Sequence, residues 1–385
     1  MGSYTTAGGM VIMHGRTLRH LRVVILLVII NLAWEGCLVF EPWDNENDPV
    51  MYLHCTMTEE NYHQLFKSTY YNSWFGINIC EGDSVVDARL RIHGNVTRKM
   101  FKKSFQYRTF SHSVPRKKIR STVLSAFREN SCSHYRYAVY FFSKTSLLIT
   151  DHQPVRLYIN QKDHGLYLKL EKIDEHFFSR RNLPLSSLYK MNARSYFGFR
   201  YGTVQQNFDK KIPDDDWSFD DLIQLNRIIE EGITEERLEF LWHWLDSSSA
   251  LDYYAISRLI YNWDGINNNV YLYYNSRINK FQFIPWDLGH TFEGSTFFVD
   301  VENGLVEQLL EIPHIRSSVE NRMAHYFDYP RDSVALDSIF FHTYDHCQHD
   351  IFADSTNNDC IEALYSMRSY IKGVRDRLRE MGYKE

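Results

Sequence analysis

The hydrophobic pattern of this chain changes period once, near Pro213, and that change limits the folds open to it. Before it, apolar residues fall on alternate positions. Val86, Ala88, Leu90 and Ile92 share one face of a strand, with Asp87, Arg89, Arg91 and His93 on the other. His93-Gly94-Asn95 makes a turn, and Ser104-Phe105-Gln106-Tyr107-Arg108 alternates again, so a hairpin is expected within 84–110. Val155 to Ile159 and Gly165 to Glu171 read as a second strand pair across a turn at Asn160 to His164. Between these, 111–135 reads as a polar, basic loop with a short helix, and Tyr135 to Leu148 as helical. Residues 38–60 read as irregular and acidic.

Beyond Pro213 the period is helical. Ser218-Phe219-Asp220-Asp221 has the form of a capping box before a helix carrying Leu222, Leu225, Ile228 and Ile229. Thr234 caps a second helix with Leu238, Leu241 and Trp242 on one face, and a third runs from about Ser249 through Tyr253, Ile256, Leu259 and Ile260 to Asp264. Val270 to Tyr274 and Phe281 to Ile284 then form a hairpin around Asn275 to Asn279. Val306 to Tyr383 is expected to be largely helical, with a polar loop around Gln348 to Asp359.

A chain of 385 residues, 44% hydrophobic and 15% aromatic, can bury a large core. Its formal net charge of −5 gives no reason to expect nucleic acid or anionic lipid as the main partner. Arg16, Arg19 and Arg22 precede an uncharged run from Val23 to Trp34, the length of a signal-peptide core rather than of a bilayer span. A cleaved secretory signal within 1–37 is expected. A type II signal anchor tethering the chain to a membrane is the alternative, and both place the body outside the cytosol. Six cysteines fit an oxidising compartment, Cys347 and Cys360 being the expected local disulfide, with reduced buried thiols the other reading. Asn95-Val96-Thr97 is an N-glycosylation sequon.

Two stretches carry the chemistry: Asn262-Trp263-Asp264-Gly265-Ile266-Asn267-Asn268-Asn269, and Phe283-Ile284-Pro285-Trp286-Asp287-Leu288-Gly289. An amide five residues after a carboxylate, and a second carboxylate before Leu-Gly, are spacings that hold ATP-bound magnesium in phosphoryl transfer. Asp264 and Asp287 stand at the two ends of the hairpin, which brings them to one edge. Magnesium prefers hard oxygen ligands and takes one or two carboxylates, which Asp287 with Asn269 would supply. Asp264 suits either an acceptor of the hydroxyl proton or a further metal ligand. Arg91, Arg98, Lys102 and Lys103 around the Gly94 turn suit a cover for a triphosphate. Each feature alone also fits a helix cap, a turn or a solvated strand face. With no Gly-x-Gly-x-x-Gly loop and no His-Arg before Asp264, a standard protein kinase is excluded.

Several ordered blocks resemble the CotH (spore coat protein H) kinase family. Arg91-Ile92-His93-Gly94-Asn95-Val96-Thr97-Arg98 through Lys102-Lys103-Ser104-Phe105 is similar to its R-G-N-S-S-R…K-K-S-Y block. Leu157-Tyr158-Ile159-Asn160 and Gly165 to Asp174 are similar to its Y-I-N-G…G-L-Y-L-L-V-E-K-V-D block. Leu188-Tyr189-Lys190, Asp264 with Asn268 to Tyr273, and Pro285-Trp286-Asp287-Leu288 follow in the same order. The resemblance covers about 84–380. It departs at His93, Val96-Thr97, Gln161 to His164 and Gly289.

The resemblance implies an α+β, atypical protein-kinase-like bilobal fold: an N-terminal extension over 38–83, a sheet-rich half over about 84–190 and a helical half over about 214–385. It implies a secreted kinase that uses ATP with Mg2+ or Mn2+ to phosphorylate Ser/Thr of extracellular or coat proteins. Asp264 and Asp287 become its two essential acids and Lys103 its phosphate-contacting lysine. Glu171 becomes either the partner of Lys103 or a hinge residue near adenine, and Phe281 an adenine-stacking ring. Gly94, Asn95 and Arg98 belong to the nucleotide-covering turn. A catalytically inactive surface adhesin, and transfer of a different group from the same pocket, are the competing readings.

Overall fold

Strands of the N-terminal half close into a barrel in the order β1-β2-β3-β4-β5-β7-β6. These are β1 (Met51–Thr56), β2 (Phe75–Glu81), β3 (Ser84–His93), β4 (Ser104–Thr109), β5 (Ser121–Ser125), β6 (His152–Ile159) and β7 (Lys162–Glu171). The computed structural model describes residues 50–67, 72–81, 84–94, 97–109, 121–126, 131–192, 199, 202–213, 216, 218–294, 303–349 and 359–383. All belong to one compact unit, Pro49–Glu385. The expected signal or anchor within 1–37 and the sequon at Asn95 lie outside them. Among the described residues no helix is long and apolar enough to cross a membrane.

Period-two alternation fills the barrel. Ala88, Leu90 and Ile92 of β3 point inward with Leu53, Cys55, Phe105, Tyr107, Leu157 and Tyr167. Leu65 of α1 (Glu59–Lys67) joins this core. β3 and β4 pair antiparallel, His93 opposite Ser104, as the expected hairpin requires. The sheet begins earlier than residue 84, however: β1 and β2 are barrel strands, β1 pairing parallel with β6. The 38–60 segment looked irregular because Tyr52 and His54, the outward residues of β1, are aromatic rather than charged. β5 likewise stands where a loop was expected. The β6–β7 turn is only Asn160-Gln161, both at positive φ (49° and 65°), as a two-residue hairpin of type I′ demands.

β7 is apolar on both faces and joins the two halves. Tyr167 faces the barrel, while Leu166, Leu168 and Leu170 pack into the helical core with Tyr137 and Phe142 of α2 (Ser131–Phe142). A second sheet, β11-β10-β8-β9, follows. It comprises β8 (Leu188–Met191), β9 (Phe208–Ile212), β10 (Val270–Asn275) and β11 (Lys280–Pro285). Its strands are also covered on both sides, which makes them nearly continuous apolar runs. Tyr271, Tyr273 and Ile284 meet Phe177 and Phe178 of α3 (Glu175–Arg180), whereas Leu272, Phe281 and Phe283 face the large helical core.

The helical half holds α4 (Val204–Asn207), α5 (Asp220–Glu230), α6 (Leu238–Trp244), α7 (Ser247–Leu259), α8 (Trp263–Asn267), α9 (Gly304–Glu311), α10 (Pro313–Tyr326), α11 (Tyr329–Gln348) and α12 (Asp359–Glu380). α7 starts at Asp246, whose carboxylate accepts from Ser248 N and Ser249 N, rather than at Ser249. Cys347 lies in the last turn of α11, not in a loop; its expected pairing rests on the Cys360 side chain, outside the described set. The sheet-rich N-terminal half and helical C-terminal half hold as expected.

One buried ion pair fastens α11 to α2. Asp332 is 0% exposed and accepts from Lys144 Nζ at 2.6 Å, Tyr140 Oη at 2.7 Å and Asp328 N at 2.9 Å. Removing one member strands a buried charge, which typically costs about 3–5 kcal/mol. Asp332→Ala is therefore expected to lower unfolding stability by about 3–5 kcal/mol in urea titration; a loss below about 1 kcal/mol, the scale of an ordinary substitution, would contradict this role.

Candidate functional site

The Asp264 turn is wired by buried polar side chains. Asn262 caps α8: its Oδ1 accepts from Gly265 N at 3.2 Å and its Nδ2 reaches Ser257 Oγ at 3.3 Å. A Cβ on Gly265 would lie 2.1 Å from that amide, so only glycine fits. Tyr253 Oη donates to Gly265 O, and Asn303 Nδ2 to Ile266 O, both at 2.9 Å. On this frame Asn268 Nδ2 and Asn269 Nδ2 donate to the two oxygens of Asp264 at 3.2 and 2.6 Å. Both amides also return their backbone N–H to Asp264 O at 2.9 Å.

Asp287 arrives from the other arm of the hairpin. Val270 opposite Pro285 closes the hairpin base, so the chain enters and leaves it side by side. The loop after Asp287 is stitched to the residues before Asp264. Phe292 N donates to Ile260 O at 2.7 Å, and Gly294 lies so close to the Tyr261 ring that a Cβ would fall 2.3 Å from it. Tyr261, Asp287 and Phe292 all take positive φ (53°, 56° and 62°). Such strained non-glycine backbone persists only where the surroundings over-determine it, and it concentrates at functional sites.

Asp287 is exposed to solvent, yet enough protein surrounds it to desolvate it, the situation of a side chain lining a recess. That desolvation, reinforced by the Asp264 charge and opposed by Lys190, raises its pKa above the ordinary carboxylate value. Lys190 of β8 is half-buried with its ammonium 6.0 Å from the Tyr271 ring centroid. Burial lowers its pKa, against the pull of Asp287, Asp209 and Asp264. Lys172, just past β7, is lowered by burial too, with Arg108 and Arg91 adding and Asp174 opposing. Burial together with Arg91, Lys172, Lys190 and Arg98 brings His93 down to about 4. Among the described residues neither Lys172 nor Lys190 has a side-chain ion pair or hydrogen bond, and the Asp287 side chain has no hydrogen bond. Lys190 thus lies beside the carboxylate pair, with Lys172, Arg91 and Arg98 gathered with it around His93.

This donor set fits a divalent cation. Asp287 and Asp264 are hard oxygen donors, the buried Oδ1 atoms of Asn267 and Asn268 have no hydrogen-bond partner, and Asn269 presents an amide to Asp264. Of the residues expected at the site, Asp264, Asp287 and Asn269 come together. Gly94 takes φ 91° in the β3–β4 turn, and Arg98 is tied there by Nε–H to Gly94 O at 2.5 Å and by Nη2–H to Ile92 O at 3.3 Å.

Two expected nucleotide contacts, Lys103 and Phe281, are corrected, as is the pairing of Glu171 with Lys103. Lys103 Nζ donates to the carbonyls of Arg98 (2.8 Å) and Met100, so it braces its own turn. Glu171 bonds Arg180 at 2.9 Å and Arg181 at 2.8 Å, holding α3 to β7 instead of pairing with Lys103. Phe281 is fully buried against Tyr274 and Tyr189 and offers no face to adenine. Lys190 and Lys172 were missed as site residues; the available signal was a lysine between Tyr189 and Met191 in an apolar strand.

A sequence model of the CotH kinase protein family matches residues 90–330. The inner spore coat protein H of Bacillus subtilis (strain 168) is 22% identical over 217 residues, 54% of this chain and 59% of that protein, so the chain spans under two thirds of that relative's length. Among solved structures, the proinflammatory kinase CtkA of Helicobacter pylori aligns over 72% of this chain and 95% of its own, at 11% identity and a TM-score of 0.35. The chain belongs to the CotH kinase family.

Folded Asp287 binds its proton more readily than the unfolded chain does, so its contribution to stability is present at low pH and lost as pH rises through its raised pKa. In metal-free buffer at pH 7.5, Asp287→Asn should therefore melt no lower than wild type, the difference shrinking toward zero in acid. A Tm several degrees lower at pH 7.5 would mean that Asp287 is structural.

Proposed function

We propose that this chain is an ATP-dependent protein kinase that phosphorylates serine or threonine of proteins in the secretory pathway or outside the cell, with Mg2+ or Mn2+ bound. One observation carries the reading: half-buried Lys190, with no side-chain ion pair among the described residues, lies beside two like-charged carboxylates, Asp287 and Asp264. A triphosphate with its metal neutralises both sides at once. Lys190 and Lys172, with Arg91 and Arg98 behind them, receive the phosphate oxygens. Asp287, Asp264 and the amide of Asn269 are the residues that would hold the cation, which supplies charge neutralisation at the transferring phosphoryl group.

Asp264 is oriented for a second task. Its carboxylate is clamped by Asn268 and Asn269, a fixed geometry suited to accepting a proton. The acceptor oxygen forms its bond to the γ-phosphorus as the bond to the β-phosphate oxygen breaks. The hydroxyl proton passes to Asp264, and ADP leaves. The raised pKa of Asp287 adds a pH dependence: cation binding must displace its proton, so affinity for the metal falls in acid.

Transfer of the γ-phosphate of labelled ATP, normalised to folded protein, tests this reading. Asp287→Asn and Asp264→Asn should each lose about 100-fold or more of turnover, and Lys190→Met should raise KM for ATP. Unchanged transfer in both aspartate variants would overturn the kinase reading.

A further inference from the structure

Two exposed rings flank the carboxylate pair, and the chemistry above leaves them without a task. Trp263 directly precedes Asp264 on α8 and is 38% exposed in a chain whose other large rings mostly fill cores. His290 follows Asp287 on the anchored loop. The ring centroids are 6.3 Å apart, tilted at 48°. His290 Nδ1 lies 3.3 Å from Glu293 Oε1, and Phe292 and Gly294 fix the loop backbone to Ile260 and Tyr261. The rings are thus held by a rigid frame at the surface.

The charges place this ring pair. Lys190 and His290 each feel the charges of both Asp264 and Asp287, so both lie close to the carboxylates. In phosphoryl transfer the attacking and leaving oxygens lie roughly in line across the phosphorus. The acceptor hydroxyl must reach Asp264, and Trp263 and His290 are exposed rings beside that carboxylate. A small alcohol needs no such platform, whereas an extended polypeptide needs a surface that fixes the residues flanking its hydroxyl. Aromatic rings provide that area at low entropic cost.

We infer that Trp263 and His290, steadied by Glu293, form the acceptor platform of this site and position the polypeptide segment that carries the reacting serine or threonine. This assignment rests on the kinase reading and is tested separately from it. The probe is a pool of synthetic peptides with one serine and randomised flanks, assayed for phosphate transfer beside hydrolysis of ATP by water. Trp263→Ala should raise KM for peptide about tenfold, with kcat at saturating peptide and KM for ATP near wild type. Trp263→Phe should recover part of the loss, and His290→Ala should shift peptide KM in the same direction. An unchanged peptide KM in both alanine variants would overturn the assignment while leaving the kinase reading intact. So would an equal loss in hydrolysis by water, which marks Trp263 as a support for Asp264. A wild-type protein that turns over ATP with neither peptide nor water would remove both.

Discussion

Two carboxylates held in each other's field, without a counterion bonded to Asp287, cost a fold stability. Asp264 and Asp287 repel, and the one lysine placed to offset Asp287 is itself desolvated. Everything around the pair keeps it in place: the hairpin register that brings both ends together, the Phe292 to Ile260 hydrogen bond, and the contact of Gly294 on Tyr261. Three left-handed residues within this short span add strain in the same place. Repulsion and strain of this kind concentrate at functional sites.

The two halves of the chain divide the labour. The barrel supplies Arg91, His93 and Arg98 from β3 and its turn, and β7 delivers Lys172 at its exit. The second sheet supplies Lys190, and its hairpin sets the spacing of the acids. β7, buried on both faces, and the Asp332 pair linking α2 to α11 hold these contributions in register. Glu171 and Lys103 serve the same end as braces, one fastening α3 to the barrel exit and the other closing the turn that carries Arg98.

The acids were legible from sequence because their context is local: each sits beside one arm of a hairpin whose strands and turn announce themselves. The β3–β4 pair was legible for the same reason, its outward face being charged. β1 was not, because Tyr52 and His54 blur its alternation, and β5 was hidden by its brevity. Lys190 acquires its meaning only from burial and from charges distant in sequence. Phe281 shows the complementary limit. A ring in a strand covered on both faces has two cores to choose from, and nothing local says that neither is a pocket.

The central claim is that Asp264 and Asp287 hold a divalent cation together with the triphosphate that the lysines receive. Its most direct test is the Mn2+ electron paramagnetic resonance signal titrated with protein in the presence of a non-hydrolysable ATP analogue. The account predicts that wild-type protein binds Mn2+ only weakly alone and tightly with the analogue, and that Asp287→Asn abolishes the ternary complex while remaining folded. Tight nucleotide binding that ignores Mn2+, or a ternary complex unchanged in Asp287→Asn, would contradict it.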